Sequence, residues 1–188
     1  MRFDELALAG VFSVELEPVH DERGFFARTY AREEFAAHDV ELDVVHASIS
    51  FNERRGTLRG MHLQTPPHDE AKLVRCVTGK VHDVVADLRA GSPTQFRWVA
   101  VELSAERRNA LFVPPGCAHG FLTLVNGCEL EYLISAAYAA SAAVGVRWDD
   151  SALAIEWPFE PAVISERDAA FADLDAERVA AQGPGGLT

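Results

Sequence analysis

Residues 56–72 of this sequence, GTLRGMHLQTPPHDEAK, bring together three side chains that could act on an anionic substrate. Arg59 is a permanent cation, His62 carries an imidazole that titrates near neutral pH, and Lys72 places an amine at the start of an apolar run. Two glycines bracket the arginine, so we expect a tight turn or a close backbone approach there. This combination favours proton chemistry beside a bound anion. A strand, a loop and a second strand with surface charge explain the same residues equally well.

The composition is that of an ordinary globular chain with an acidic charge balance. The 188 residues are 48% apolar and 24% charged, which suits one domain with a sizeable core. The formal net charge of −12 disfavours a nucleic-acid-binding protein, because phosphate recognition needs a basic face. An anionic small molecule could still bind where arginines locally overcome the acidic field. Only Lys72 and Lys80 of the 17 basic residues are lysines, which makes Lys72 conspicuous.

Cysteine usage and hydropathy predict a cytoplasmic protein that does not enter a membrane. Cys76, Cys117 and Cys128 form no Cys-x-x-Cys motif, and we expect three reduced thiols in or near the core. No apolar run reaches the length of a membrane span. The N-terminal sequence MRFDEL lacks the long apolar core of a signal peptide. The glycine-rich end of the chain predicts a flexible tail over residues 183–188.

Short runs separated by turn signals dominate the chain and predict an all-β fold. About ten strands are expected, and the apolar runs at 146–148 and 154–157 are interpreted as two of them. Helices are expected over 31–37 and in a polar, Ala-rich C-terminal helix that Ser165 opens, and the Ala-rich residues 136–145 could form either a helix or a loop. Residues 1–182 therefore predict one antiparallel sandwich or barrel, and a small jelly roll of the cupin type fits this strand count.

One predicted strand carries a polar stripe. His46, Ser48 and Ser50 share one face of the strand over 44–51, because side chains alternate along a strand. A stripe of this kind normally faces water. It could also line a wet pocket inside a barrel, and the pattern does not choose between these two alternatives.

Three more polar residues stand in apolar runs and have two interpretations each. Tyr132 needs a partner for its hydroxyl if its strand face points inward, and its structural alternative is a core tyrosine bonded to a carbonyl. Asp83 is costly to bury unless it is paired, so a structural salt bridge explains it as well as a functional role. His119 precedes an apolar strand, where a histidine is more often a core residue than a catalyst.

Several segments follow one another in an order that a known family shares. They are DERGFF (21–26), GTLRGMHLQ (56–64), KLVRCVTGKVHDVVADLR (72–89), GSPT (91–94), ELSA (102–105), VPPGCAHGF (113–121), EYL (131–133), GVRWDD (145–150) and SERD (165–168). These segments cover most of the chain, and the chain resembles the dTDP-4-dehydrorhamnose 3,5-epimerase family of nucleotide-sugar epimerases. The resemblance implies a cupin-type jelly roll with short peripheral helices. It also implies a homodimer that needs no metal ion and no redox cofactor.

The resemblance further implies a substrate and a reaction. The substrate is a nucleotide-linked 4-keto-6-deoxyhexose, in which the C4 ketone makes the hydrogens on C3 and C5 acidic. Epimerisation then needs a base, a group that stabilises the enolate, and an acid on the opposite face of the sugar. His62 matches the base, Asp168 its carboxylate partner, Tyr132 the acid and Lys72 the cation near the enolate oxygen.

Substrate-binding residues follow from the same resemblance. Arg59 and Arg23 match the pyrophosphate contacts, a task that suits the bidentate guanidinium group. Phe26 and Tyr138 match residues near the nucleotide base or sugar, and His119 matches a position at the edge of the site.

Two substrate-facing positions depart from the family pattern. Arg28 stands where the family commonly has glutamate, at a nucleotide-facing position. His46-Ala47-Ser48 replaces the common Gln-x-Asn, which bears on phosphate and sugar contacts. These departures leave the base, the acid and the enolate-stabilising cation in place. They bear on the identity of the nucleotide and on whether C3, C5 or both are inverted.

Other activities remain as alternatives. A mono-epimerase or a 3,4-ketoisomerase would use similar proton transfers on a related nucleotide sugar. A metal-dependent cupin would need three or four convergent ligands, and the sequence has no His-x-His motif to supply them. A non-catalytic sugar-nucleotide-binding protein would not need both a base and an acid.

Overall fold

The computed structural model describes residues 1–187, and short strands make up most of its regular structure. In chain order the strands are β1 (Arg2–Glu5), β2 (Phe12–Glu15), β3 (Val19–Asp21), β4 (Gly24–Phe26), β5 (His46–Asn52), β6 (Thr57–Gln64), β7 (Lys72–Thr78), β8 (Lys80–Asp87), β9 (Trp98–Ser104), β10 (Ala110–Val113), β11 (Cys117–Thr123), β12 (Cys128–Ile134), β13 (Ala143–Gly145) and β14 (Val163–Ile164). The helices are α1 (Arg32–Ala36), α2 (Glu166–Ala169) and α3 (Ala176–Gln182), followed by a 3-10 turn over Gly183–Leu187.

Two antiparallel sheets form the body of the fold. The first has the strand order β1-β2-β10-β7-β12-β5, and the second has the order β13-β6-β11-β8-β9. The short strand β14 joins the second sheet by pairing in parallel with β6. Strands β3 and β4 pair with each other as a separate hairpin. This arrangement confirms the prediction of an all-β, antiparallel jelly roll.

The main core lies between the two sheets. Buried side chains of the first sheet, such as Val74 and Leu130, pack against those of the second, such as Val85 and Phe121. Cys76, Cys117 and Cys128 belong to this core and form no disulfide, which confirms the prediction of core thiols.

The outer face of each sheet is covered as well. The C-terminal segment places Val146, Leu153 and Val179 over the second sheet. Helix α1 and the loop after it place Phe35 and Leu42 over the first sheet. Strand β8 is therefore buried on both faces, which explains why its sequence is not a simple apolar–polar alternation.

The two strands predicted after β13 are not formed. Residues 146–148 and 154–157 contain no strand, so that interpretation was wrong. Val146 still exchanges two backbone hydrogen bonds with Met61, and the Trp157 indole donates to the Trp148 carbonyl at 2.8 Å. The apolar character of these runs reflects their packing on the sheet rather than strand pairing.

The C-terminal region is partly as predicted. Ser165 caps a helix, but that helix ends at Ala169, and a second helix with Asp175 as its N-cap follows. The 3-10 turn over Gly183–Leu187 buries Pro184, which departs from the expected flexible tail. None of the helices in residues 1–187 has the length and apolar composition needed to span a bilayer.

A buried carboxylate ties the end of β8 to the turn that follows it. Asp87 is fully buried and accepts hydrogen bonds from the Arg89 guanidinium at 2.8 and 2.9 Å and from Thr94 Oγ1 at 2.7 Å. Burial by itself raises the pKa of Asp87, but these donors and the Ser92 hydroxyl outweigh it and lower the pKa to about 2. The carboxylate is therefore charged in the folded protein down to low pH.

We expect Asp87→Asn to lower the free energy of unfolding by about 2.5 kcal/mol at pH 7, since each unit by which the pKa is depressed stabilises the folded state by about 1.4 kcal/mol. This stability is present above the unfolded pKa near 3.8 and is lost as the pH falls through about 2. Urea denaturation at pH 7 and at pH 3 measures both effects. Asp173→Asn is the control, because that side chain is 85% exposed. Equal stability of the two variants would contradict the stabilising role of the ionised Asp87.

Candidate active site

His62 lies on β6 where that strand runs close to β11. In the antiparallel register His62 is opposite His119. Gly60, two residues earlier, has φ +137°, and a Cβ on it would lie 2.5 Å from the Cα of Gly120. Only glycine fits this approach, which confirms the close backbone contact expected from the sequence.

Asp168 reaches His62 from the C-terminal segment. Strand β14 pairs with the beginning of β6, and this pairing brings helix α2 alongside His62. Asp168 Oδ1 lies 2.8 Å from His62 Nε2, and the Gly60 amide donates to Asp168 Oδ2 at 3.2 Å. Asp168 is buried, whereas the His62 side chain is 38% exposed. The imidazole therefore contacts a buried carboxylate on one side and is accessible on the other.

The environment of Asp168 keeps it ionised. Burial raises the pKa of its carboxyl group, but the hydrogen bond from His62, the charge of that ring and the Gly60 amide outweigh burial and leave the pKa lowered. An ionised Asp168 orients the imidazole and stabilises its protonated form.

A second histidine–carboxylate pair lies next to the first. His119 Nε2 is 2.8 Å from Asp83 Oδ1, and both residues are buried. Asp83 Oδ2 has no hydrogen-bond partner within residues 1–187. Asp83 is therefore buried with a histidine partner, and one of its two oxygens is left without a hydrogen bond.

Tyr132 faces the same interior from the other sheet. Strand β12 lies between β7 and β5, and the Tyr132 ring packs edge-on against His119 with ring centroids 6.3 Å apart. Its hydroxyl lies 3.3 Å from Ser50 Oγ on β5. Burial raises the pKa of the Tyr132 hydroxyl, and the hydrogen bond to Ser50 offsets this only in part. Tyr132 is thus a neutral phenol at physiological pH.

Lys72, at the start of β7, reaches across to His62. Its ammonium group lies 3.3 Å from the His62 carbonyl oxygen and 2.9 Å from Glu70 Oε1. Lys72 is 7% exposed, so its charge acts in a largely desolvated environment.

Arg59 lies on β6, opposite Phe121 of β11. Its Nε donates to the Asn52 side chain at 2.8 Å, and the residue is exposed. A pocket of about 390 Å³ that His62, Asp168 and Arg167 also line opens beside it. A guanidinium held in this way presents its outer N–H groups to an anion entering the pocket.

Two of the remaining predicted residues lie on β5, and four lie outside that strand. His46 and Ser48 are on β5, where Ser48 is the register partner of Tyr132. Arg23 and Phe26 belong to the β3–β4 hairpin, where Arg23 pairs with Asp21 and Phe26 is 75% exposed.

Arg28 lies close to helix α1, and Tyr138 lies in the loop whose Ala139 amide donates to Gln64 Oε1 of β6 at 2.6 Å. The Arg28 side chain pairs with Glu34 at 3.1 Å. The Tyr138 side chain is 65% exposed. Within residues 1–187, neither residue makes a recorded hydrogen bond to the side chains around His62.

Sequence reasoning missed two polar partners of the cluster. Asn52 holds Arg59, and it continues the alternating polar stripe of His46, Ser48 and Ser50, so the stripe already contained the signal. Glu70 pairs with Lys72 and accepts from Gln64, and nothing in its loop context distinguished it from a surface charge.

Comparison with known proteins identifies the family. A sequence profile described as dTDP-4-dehydrorhamnose 3,5-epimerase matches residues 5–176. A relative of that name from Sinorhizobium fredii is 38% identical over 175 residues, which are 93% of this chain and 90% of the relative. The chain belongs to the dTDP-4-dehydrorhamnose 3,5-epimerase family. It is an isomerase of the epimerase class.

Solved structures agree with this assignment. The dTDP-4-dehydrorhamnose 3,5-epimerase from Elizabethkingia anophelis superposes with a TM-score of 0.90 at 34% identity, covering 95% of this chain and 98% of that one. A 3'-monoepimerase from Streptomyces bikiniensis, solved with dTDP-quinovose, superposes with a TM-score of 0.79 at 36% identity, covering 87% and 83%. The fold of this epimerase is thus shared by enzymes named as 3,5-epimerases and by an enzyme named as a 3'-monoepimerase.

The backbone approach in this epimerase predicts a sharp difference between glycines. We expect Gly60→Ala to prevent stable folding or to cost more than about 3 kcal/mol, because it adds a backbone clash to a strained φ. Gly91→Ala is the matched control, since Gly91 also has positive φ but no atom within 4 Å of an added Cβ. It should cost about 1 kcal/mol. Thermal denaturation compares the two, and similar midpoints would contradict the role of the close approach.

Proposed function

We propose that this protein epimerises a dTDP-linked 4-keto-6-deoxyhexose at C3, C5 or both. The observation that carries the proposal is the placement of two proton-transfer groups on facing sheets. His62, backed by Asp168, lies on one sheet, and Tyr132 lies on the other, with the His119 ring in register with His62 and in contact with Tyr132. An inversion needs a base and an acid on opposite faces of the sugar, and this arrangement supplies both.

His62 is the proposed base. The C4 ketone acidifies the neighbouring C–H bonds, so that an imidazole can remove the proton and leave an enolate. The buried, ionised Asp168 then stabilises the imidazolium that forms. The exposed front of the His62 ring is the side from which the sugar would approach.

Lys72 and Tyr132 complete the reaction. The negative charge of the enolate develops on O4, and a desolvated ammonium beside His62 is suited to stabilise it. Tyr132 then returns a proton to carbon from the opposite face. Its raised pKa keeps the hydroxyl protonated at neutral pH, and the enolate carbon is basic enough to accept the proton.

The nucleotide part of the substrate follows from Arg59 and from the relatives. Relatives of 34 to 38% identity are named for dTDP sugars, and Arg59 offers guanidinium N–H groups to a diphosphate at the pocket beside His62. A mono-epimerase is the second candidate, because the named 3'-monoepimerase is as similar in sequence as the 3,5-epimerases are.

The proposed enzyme is a cytoplasmic homodimer that binds no nucleic acid. Arg23 and Phe26 match substrate-binding positions, yet their own hairpin lies away from the site. The neighbouring Phe25 lines a pocket together with Cys76. Cys76 is four residues along β7 from Lys72, a distance of about 13 Å. A hairpin from a second subunit could reach the site instead. The hairpin exposes the apolar residues Val19 and Phe26, and the edge strand β5 with the residue before it exposes Val45, Ile49 and Phe51, which such contacts would cover. Buried, unpaired thiols suit a reducing compartment.

The proposed reaction predicts exchange of specific substrate hydrogens. In D2O, proton NMR of dTDP-4-keto-6-deoxyglucose with the protein should show deuterium entering both C3 and C5, and His62→Ala should lower the rate by at least about 100-fold. Deuterium at one carbon would assign a mono-epimerase, and a displaced ketone would assign a 3,4-ketoisomerase.

Parallel samples with CDP- and GDP-linked sugars test the nucleotide. Exchange faster with either than with the dTDP sugar would reassign the base. Binding without exchange above the His62→Ala rate for every sugar would leave a binding protein and contradict the proposal. Metal analysis of the active protein distinguishes the proposed epimerase from a metal-dependent cupin.

The proposed dimer predicts a charge-sensitive interface. Ile49→Asp should convert the protein to monomers, because it places a charge on the exposed apolar face of β5. Light scattering after size exclusion measures the mass, and Ala181→Asp on the exposed end of α3 is the control. A wild-type protein with the mass of one chain, or an Ile49→Asp protein with the mass of two, would contradict this interface.

A further inference from the structure

A buried amide side chain, that of Asn52, links the two sheets at the end of β5. Asn52 is 2% exposed. Its Oδ1 accepts from Arg59 Nε at 2.8 Å, and its Nδ2 donates to the Cys128 carbonyl at 3.3 Å and to the Ser50 carbonyl at 3.4 Å. The orientation of the amide is determined by its partners, because a guanidinium only donates and a carbonyl only accepts.

Ser50 extends this contact to the proposed acid. The Ser50 hydroxyl lies 3.5 Å from Asn52 Nδ2 and 3.3 Å from the Tyr132 hydroxyl. A continuous polar chain therefore runs from Arg59 on β6, through Asn52 and Ser50 on β5, to Tyr132 on β12. It crosses from one sheet to the other.

The same chain acts on Tyr132 electrostatically. Burial raises the pKa of Tyr132, while the hydrogen bond to Ser50 and the charge of Arg59 lower it. Both of the groups that moderate the acid are in contact with Asn52. The remaining N–H groups of Arg59 make no hydrogen bond within residues 1–187 and stay available to an anion.

We infer that Asn52 is a positioning residue that holds the guanidinium of Arg59 for the substrate diphosphate and, through Ser50, orients the hydroxyl of Tyr132 for proton donation. This inference rests on the proposed epimerase function. It assigns one buried side chain to two tasks, binding and inversion, and it assigns Ser50 to inversion alone.

Three variants separate these tasks. Asn52→Ala removes both arms, Ser50→Ala removes only the arm to Tyr132, and Ser50→Thr keeps a hydroxyl. Two quantities are measured on each folded protein. The first is the dissociation constant for dTDP by calorimetry, and the second is the ratio of inversion to deuterium exchange at the same carbon by NMR in D2O.

Asn52→Ala should weaken dTDP binding about tenfold and lower the inversion-to-exchange ratio about tenfold. Ser50→Ala should lower the ratio by a similar factor and leave dTDP binding within twofold of the wild type. Ser50→Thr should restore the ratio. Exchange initiated by His62 continues in all three, so the ratio reports on reprotonation rather than on a general loss of structure.

Two results would overturn the inference. One is an Asn52→Ala protein with both quantities within twofold of the wild type. The other is a Ser50→Ala protein whose dTDP affinity falls by the same factor as its inversion-to-exchange ratio. That result would mean that the substitution disturbs strand β5 as a whole, and that loss of the hydroxyl is not the cause. If Asn52→Ala does not fold, the Ser50→Ala and Ser50→Thr pair decides by the same ratio. A wild type that neither exchanges hydrogen nor binds dTDP would overturn the proposed function together with this inference, whereas an active wild type with unaffected variants would overturn the inference alone.

Discussion

The backbones of β6 and β11 come within van der Waals contact at Gly60 and Gly120, and the site depends on that approach. A side chain at either glycine would collide with the other strand, with an added Cβ on Gly120 lying 2.8 Å from the Arg59 carbonyl oxygen. Because the strands are this close, His62 lies directly opposite His119, and the Gly60 amide is available to Asp168. The register, the proposed base His62 and its carboxylate partner Asp168 thus share one steric requirement.

Charge is distributed unevenly around this constraint. The whole chain is strongly acidic, but the carboxylates of the site are turned inward, each against a cation or an imidazole. Asp168, Glu70 and Asp83 each have a protein partner, and the His62 ring and the Arg59 guanidinium are the more exposed groups of the cluster. An acidic protein can therefore offer a locally cationic entrance to a diphosphate.

The two sheets have different parts in this arrangement. The sheet that contains β6 carries His62 and Arg59, and the sheet that contains β7 and β12 carries Lys72 and Tyr132. In the proposed reaction, the sugar is approached from two sides by groups whose separation is set by the packing of the two sheets, which is rigid. Polar links that cross between the sheets, Lys72 to the His62 carbonyl and Arg59 to Asn52, hold these groups in relation to one another.

Local sequence patterns were enough to predict the fold class, the core cysteines and the close backbone approach beside Arg59, because strand alternation, turn residues and positive-φ glycines are local properties. Its ordered motifs also identified the family. Only the tertiary structure decided which polar residues meet. Asp168 is 106 positions from His62 in the chain, and a 2.8 Å contact between them exists only because β14 pairs with β6. The strands predicted at 146–148 and 154–157 are absent for a similar reason. Their apolar residues pack on the outer face of a sheet, and the local pattern does not distinguish that packing from strand pairing. Tertiary structure likewise decided the importance of Asn52, which comes from Arg59 and Cys128, partners that non-local strand pairing brings to it.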